Sequence, residues 1–358
     1  MDYRIDESQL TEPLAELEQR RWLFEKLPLD PTHADWFRHR AWIRTIHGTT
    51  RIEGNTLNDL EVEEVLASPS SRFSRKDALE VLGMRAALSF VDETAGAPGV
   101  LADEPLVREI HRRVLDDINP LLTPGEYRRG NNTVVDADGR TVFTTPPSRD
   151  VPDLMRQFGL WLRGATDRHP APVAAALAHL ELAAIHPFYD GNGRTSRALA
   201  RFFLLGHGYG FGGLVSLDAQ LDHERTTYFQ AIRRSTRRAY KPPYDATPFL
   251  LYFLGAIVRS ADHVLARISE LGQVMIAVRR DIASQTLPAP LLDGLAYAWA
   301  NHSLRPADYI RITGRSPQST TRDLAAAVAR GYLEPRGEKR GRWYALGPAF
   351  KGTAMAEA

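Results

Sequence analysis

The chain has 358 residues, 43% hydrophobic and 25% charged, with 45 Lys/Arg against 44 Asp/Glu and a net charge of +1. That is ordinary globular composition, long enough for two or three domains, with no global field to draw in nucleic acid or a membrane surface. Cysteine is absent, which excludes a disulfide frame, a cysteine zinc site and a thiol nucleophile.

Met1 to Arg21 has mixed charge and no apolar h-region, and no apolar run is read as approaching membrane-spanning length. A cytoplasmic protein with no membrane partner is the expectation. Residues 1–104 are expected to be helical. Leu14, Leu17 and the Trp22–Phe24 cluster have mixed spacing, and Pro28 to Pro31 breaks the run. Trp36 to Ile52 predicts a helix. Lys76 to Glu93 predicts another, with Leu79, Val81, Leu82, Met84, Ala87 and Phe90 as its apolar stripe. The first of these ends in Thr49-Thr50-Arg51-Ile52-Glu53-Gly54-Asn55. Thr49 and Glu53 are four apart and share a helix face, and Gly54 supplies a stop. Alone, that spacing is usually a solvated face. Ala95 to Val100 reads as a small-residue loop, and Leu106 to Ile118 as an amphipathic helix.

Pro124-Gly125 opens a turn before Glu126-Tyr127-Arg128. Thr133-Val134-Val135 and Thr141-Val142-Phe143 then flank Asp136-Ala137-Asp138-Gly139, a hairpin with turn chemistry at Asp138-Gly139, closed by Pro146-Pro147.

An Ala-rich helical run, Val173 to Ile185, and a second apolar-periodic run, Ala198 to Leu205, enclose His186-Pro187-Phe188-Tyr189-Asp190-Gly191-Asn192-Gly193-Arg194-Thr195-Ser196-Arg197. The layout is helix, glycine loop, helix. Such a loop aims backbone N–H groups at an anion on the second helix's N-terminus. Asn192 and the arginines add donors, Asp190 suits a hard cation such as Mg²⁺, and His186 has the pKa range to take a hydroxyl proton. Arg194 and Arg197 share a helix face, and Arg201 is expected to make a structural ion pair. Phosphate cradle, metal carboxylate and base together point to nucleotide chemistry. No Walker-type loop is present, and no dense His/Asp cluster supports a two-metal phosphodiesterase.

Gly206 to Gly213 reads as a helix stop and loop. His223 to Arg238 is expected as one helix with Tyr228, Phe229 and Ile232 on its apolar face, and Pro248 to Ser284 as a long helical region broken once. From about Pro288 the pattern changes: helices at Leu291 to Ala300 and Pro306 to Ile312, a turn at Gly314-Arg315, and a third helix to Arg330 with Ser316 as N-cap and Pro317 at its first position. Tyr332 to Glu334 and Arg342 to Leu346 are expected as strands around a Gly337 to Gly341 tip. Helix, turn, helix, two-stranded wing is a winged-helix order. From Arg305 to Arg342 there are nine Lys/Arg and four Asp/Glu. With Gln318, Ser319, Thr320 and Arg322 on the second helix of the pair, residues 306–346 are a candidate DNA surface, with a protein-contact or dimer module as the alternative.

The loop sequence resembles the Fic family, whose core reads His-x-Phe-x-Asp/Glu-Gly-Asn-Gly-Arg-x-x-Arg, and every fixed position is matched. The resemblance implies a mainly α-helical fold with a β-hairpin flap over the site. It divides the chain into an N-terminal helical region (1–104, inhibitory helix about 36–54) and a catalytic core (105–255). A helical linker (256–287) and the winged helix (288–358) are read from pattern. It implies AMP transfer from ATP to a Ser, Thr or Tyr hydroxyl of a target protein or of the chain itself. By position, His186 is the general base and Asp190 binds Mg²⁺. Gly191, Asn192 and Gly193 hold phosphates, and Arg194 and Arg197 neutralise the β- and γ-phosphates. Tyr228 is placed beside the adenine, with core packing as its alternative. Thr49, Glu53 and Gly54 resemble the family's inhibitory motif, Ser/Thr-x-x-x-Glu-Gly/Asn, so Glu53 is expected on Arg197. In some relatives that glutamate also serves AMP removal.

The related enzyme alternative is a kinase or phosphocholine transferase, as in divergent Fic-like proteins such as the Doc toxins; intact Gly193 and Arg194, changed in the Doc-type kinases, favour nucleotidylyl transfer. UTP or GTP in place of ATP stays open, as does a homodimer, since no motif fixes a stoichiometry. The alternative function is a DNA-binding regulator that retains a nucleotide pocket.

Overall fold

A computed structural model describes residues 1–27, 29–68, 72–116, 118, 123–135, 138–338 and 341–350. The chain divides into two compact units: residues 1–26 with 42–260, and residues 27–41 with 261–358. These cuts differ from a division at 104, 255 and 287, because the first hundred residues for the most part pack into the unit that holds the glycine loop.

In chain order the elements begin with β1 (Tyr3–Arg4), α1 (Thr11–Glu25), α2 (Pro31–Ile52), α3 (Asp59–Ala67), α4 (Arg75–Thr94) and α5 (Glu104–Val114). The hairpin β2 (Thr133–Val135) and β3 (Thr141–Thr144) follows, then α6 (Val151–Arg163), α7 (Ala165–Arg168), α8 (Ala171–Ile185) and α9 (Asn192–Gly206). After these come α10 (Leu217–His223), α11 (Arg225–Thr236), β4 (Tyr244–Asp245), α12 (Thr247–Ala283), α13 (Leu291–Asn301), β5 (Ser303–Leu304), α14 (Pro306–Thr313), α15 (Pro317–Ala329), β6 (Leu333–Arg336) and β7 (Trp343–Leu346).

The first unit is built around α8. Its sequence is apolar on every side, so it has no solvent face and lies in the middle of the unit, with Val173, Ala174, Ala175, Ala176, Leu177, Ala178 and Leu180 all buried. Its alanines let α9 approach closely. Local signals start the surrounding helices. Asp103 Oδ1 accepts the Leu106 N–H at the start of α5 (3.1 Å), and Asn58 with Glu61 forms a capping box on α3. The helix expected to run to Ile118 ends at Val114. The helix expected over 223–238 is α11 (Arg225–Thr236), and the short α10 (Leu217–His223) before it was not expected. The long region expected to break once is the continuous α12, its Gly255 and Gly272 accommodated in the interior. That helix also corrects a second expectation: by length and composition it could cross a membrane, but half of its most apolar window is buried in the protein, as in a core helix.

In the hairpin, β2 pairs antiparallel with β3, with a register irregularity between Val134 and Val135. Gly139 has φ 76°, as the turn demands; Asp136 and Ala137 of the expected turn lie outside the described residues. Tyr3 and Arg4 of β1 pair in parallel with Tyr244 and Asp245 of β4.

The second unit has its own core, including Leu291, Leu295, Trp299, Leu304, Tyr309, Leu324 and Leu333, with Trp36 and Phe37 packed on it. Ser316 Oγ accepts the Ser319 N–H (3.2 Å) and caps α15. The sheet order is β5-β7-β6; β5, two residues long, had no sequence signal. Lys339 and Arg340 of the expected tip lie outside the described residues.

Candidate active site

The loop between α8 and α9 is fixed mainly by its own side chains. Helix α8 ends with His186 in the left-handed region (φ 51°, ψ 57°), and Gly191 has φ 74° just before α9. A glycine suits that second bend because it has no Cβ. Asn192 Oδ1 accepts the Phe188 N–H, and its Nδ2 donates to the Phe188 carbonyl, each at 2.9 Å. Its side chain thus holds the loop closed, using Oδ1 and one of the two Nδ2 hydrogens. Backbone N–H groups of the first turn of α9 keep the anion-binding direction, since a helix start leaves them without intrahelical acceptors.

Three residues carried no functional signal in the sequence. One is His111 on α5, whose ring stacks on Phe188 (3.5 Å between centroids, 8° between planes). Its Nδ1 accepts the Gly125 N–H (2.8 Å), so the proton sits on Nε2 and is donated to the Asp190 carbonyl (3.0 Å). Burial pushes its pKa down to about 4. The second is Arg128, almost wholly buried. Its Nε donates to the His186 carbonyl (2.9 Å), Nη1 to Gly130 O (3.1 Å) and Nη2 to Pro146 O (2.6 Å), while its backbone N–H donates to Pro187 O (2.9 Å). It thereby ties the left-handed bend at His186 to both legs of the hairpin. Arg128→Lys offers one compact ammonium for three separated carbonyls. We expect it to lower the AMP transfer that the resemblance implies at least tenfold, with little change in nucleotide affinity, read by steady-state kinetics.

His186 is partly buried. Its Nδ1 donates to Ala183 O (3.3 Å), which leaves the Nε2 lone pair as the proton acceptor. Burial drives its pKa below the ordinary imidazole value, with Arg128 pushing the same way; the Ala183 carbonyl, Glu53 and Asp190 oppose them.

Arg194 is 1% exposed. Its Nη2 donates to Asp190 Oδ1 (3.1 Å), and Nη1 lies 3.8 Å from Glu80 Oε1. Among the described residues its Nε and Nη1 have no hydrogen-bond acceptor. Buried guanidinium donors without acceptors mark a place for an anion. Asp190 also accepts the Gly191 N–H (2.5 Å) and stays half-exposed beside the loop. No cluster of three or more metal-ligating side chains exists among the described residues, so a cation at Asp190 must complete its shell with phosphate and water oxygens, as Mg²⁺ commonly does.

Arg197 is held by the end of α2. Its Nε donates to Thr49 Oγ1 (2.7 Å), and Nη2 donates to Thr49 O (2.9 Å) and Glu53 Oε1 (2.8 Å). The third unsignalled residue, Asp218 on α10, lies 3.5 Å from Nε. Burial works against the charged form of Arg197, but Glu53, Tyr228 and Asp218 outweigh it and hold the pKa above the usual value. Glu53 reaches over the first turn of α9. A Cβ on Gly193 would overlap Glu53 Oε1, so the carboxylate fills the space that the glycine leaves open. Gly54 follows with φ 99°. Thr49 and Glu53 thus meet Arg197 together, and Arg201 pairs with Asp92 (2.7 and 3.0 Å) away from the loop.

Tyr228 does not fit a place beside a nucleotide base. It is 1% exposed, inside the core, with its hydroxyl 2.8 Å from His179 Nε2. No ring face is free for stacking. His179 is itself buried, its pKa pushed down to about 3 by desolvation and then by Arg197. The unfolded chain takes up the protons that His111 and His179 refuse below their usual value of 6.5. Their share of stability is therefore retained above about pH 6.5 and lost as pH falls. By pH 5 each of these two histidines withdraws about 2 kcal/mol, while buried Glu181, its pKa pushed up to about 7 by desolvation, returns a similar amount. The His179 share is read as the difference between wild type and His179→Gln in urea unfolding, which should change by about 2 kcal/mol between pH 7 and pH 5.

Residues 102–204 match the Fic/DOC family. A protein adenylyltransferase Fic of Aedes aegypti is 31% identical over 259 residues, 71% of this chain and 47% of its own length. The chain thus spans about half the length of that curated relative. A Fic domain containing signaling protein from Bacteroides thetaiotaomicron shares the fold, with TM-score 0.60 and 23% identity over 70% of this chain and 95% of its own. A Fic family protein from Desulfovibrio desulfuricans has TM-score 0.59 and 20% identity over 95% of this chain and 96% of its own.

Proposed function

The chain carries a Fic/DOC-family domain at residues 102–204, and from that premise we propose that it is a protein adenylyltransferase held off by its own Glu53. The observation that supports this most directly is the Glu53 carboxylate on Arg197 at 2.8 Å, packed over Gly193 at the start of α9. A carboxylate resting on a helix N-terminus and a buried guanidinium marks where a phosphate would rest.

In the active arrangement the target's Ser, Thr or Tyr oxygen attacks the α-phosphorus of ATP. His186 Nε2 takes the hydroxyl proton as the new P–O bond forms. The bond from the α-phosphorus to the bridging oxygen breaks, and pyrophosphate leaves. Charge grows on that leaving group, where the free donors of Arg194 and those of Arg197 answer it. Asp190 is the residue that would hold Mg²⁺, which supplies charge neutralisation to the phosphates when bound. His111, Arg128 and Asn192 keep the loop in its shape throughout.

Intact-mass spectrometry of wild type and Glu53→Gly, incubated with each nucleoside triphosphate and Mg²⁺, tests the proposal. A gain of one AMP on the Glu53→Gly protein supports it. No adduct on the chain and none on proteins of a lysate, from any triphosphate, rejects it.

One observation favours a second reading for the C-terminal unit. Gln318, Thr321 and Arg322 are exposed on α15, and Arg342 is exposed just before β7. Neither arginine meets a carboxylate among the described residues. A winged helix with such a face would bind duplex DNA through phosphate contacts. Titration with duplex DNA at two salt concentrations decides it, and binding that ignores salt, or none, removes it.

A further inference from the structure

The residues after α10 contain a charge feature that the loop chemistry does not use. Positions 233–241 read Arg-Arg-Ser-Thr-Arg-Arg-Ala-Tyr-Lys. Beside them a cavity of about 340 Å³ is lined by Arg4, Arg237, Arg238, Lys241, Tyr244 and Asp245, among others. Its cations come from opposite ends of the first unit, joined because β1 pairs with β4 and sets Arg4 beside Asp245. Among the described residues none of the four cations has an ion-pair partner. Asp245, the carboxylate in the lining, accepts the Thr247 N–H at 3.0 Å.

The four positive side chains are exposed, so water and salt screen their mutual repulsion, and an anion in the concavity would remove what is left of it. The backbone sharpens the point. Arg237 has φ 60° and ψ −132°, a conformation that side chains disfavour and glycine adopts freely. This turn follows directly on α11 and sets Arg237 and Arg238 on the cavity wall. A glycine would relieve the strain and delete a guanidinium, yet the position holds arginine. Strain kept together with charge is the mark of a binding position. The cavity is the size of a small-molecule site, and a compact concave wall suits a small polyanion better than an extended chain. Guanidinium forks match phosphate oxygens in pairs.

We propose that this cavity is a second anion site, for a small soluble ligand bearing two or more phosphate groups, distinct from the phosphate cradle at α9. Its wall is wired to the hairpin. Arg238 O accepts the Thr144 N–H, and the Tyr240 N–H donates to Thr144 O, each at 2.9 Å. The hydroxyls of Tyr240 and Tyr244 both donate to buried Glu181 on α8, the helix that ends at His186. A ligand drawing Arg238 and Lys241 together therefore stiffens the strand edge beside β3.

Isothermal titration of the full chain with inorganic tripolyphosphate, at constant ionic strength and without ATP, tests the site. Wild type and Arg194→Ala should both bind, and the double variant Arg237→Ala/Arg238→Ala should bind at least tenfold more weakly. Arg237→Gly should weaken binding while raising the melting temperature, a pairing that mere loss of folding does not produce. Wild-type affinity in the double variant overturns the proposal. So does loss of binding in Arg194→Ala, or equal affinity for single inorganic phosphate. Attachment only to vesicles of anionic phospholipid, with no tripolyphosphate binding, overturns it as well. The readout is binding, so it stands apart from the transferase reading: absence of AMP transfer in every variant would sink that reading and leave this result untouched.

Discussion

Replacing His186 by alanine should abolish the proposed AMP transfer and leave ATP binding nearly unchanged. In the proposed arrangement the imidazole meets the proton of the incoming hydroxyl while the phosphates lie on α9 and the arginines, so the two functions should separate. Loss of a positioned general base costs on the order of 10²–10⁴-fold in rate. The hydrogen bond from Nδ1 to Ala183 O fixes which nitrogen is free. Burial also sets the pH profile. A base works only when neutral, and a pKa below the ordinary imidazole value keeps it neutral to lower pH. The acidic limb of the turnover profile should lie below pH 6.5, and it should vanish with the activity in His186→Ala. Initial rates across pH 5 to 8, with nucleotide affinity measured in parallel, give the answer; persistent transfer by the alanine variant would overturn the assignment.

Glu53→Gly should raise AMP transfer by roughly 100-fold. Wild-type Arg197 spends two donors on Thr49 and shares one of them with Glu53. A triphosphate entering that state meets a carboxylate at the place of its own terminal charge. The two negative groups repel in a shielded cleft, and the nucleotide settles with its α-phosphorus displaced. Misplacement of about 1 Å costs on the order of 100-fold. Removing the carboxylate frees the Glu53 share of Arg197 while Thr49 and Asp218 still hold the guanidinium, so the variant gains competence without losing the arginine's position. Asp218→Ala is the useful contrast, because it removes a holder and not the competitor. Equal self-modification by wild type and Glu53→Gly would dismiss the inhibitory role.

What was legible in the sequence was local. The twelve residues from His186 to Arg197 lie in one turn between two helices, so their order along the chain nearly gives their order in space. Thr49 and Glu53 were legible as a pair because four residues close one helical turn. Partners far apart in sequence were not. His111, Arg128 and Asp218 act on groups 58 to 79 positions away or across a helix packing that periodicity does not report; each looks like an ordinary helix or loop residue. Tyr228 shows the converse. Its place on an apolar face was read correctly, but an apolar face does not say which neighbour it meets, and it meets His179 in the core. Asn192 staples the loop through Phe188, a role the sequence did not signal because an amide in a glycine loop serves a ligand or the loop alike. The short α10 (Leu217–His223) was missed because seven residues give too little apolar periodicity to stand out.

The absent side chain of Gly193 leaves one vacancy for two rivals. A larger residue would evict the tethered acid, yet it would evict the nucleotide's tail with it. Shape therefore has no means of favouring substrate over brake. Under the proposed inhibition, whether the chain is silent or working turns on how often a covalently leashed anion is home when the terminal charge of a diffusing one arrives.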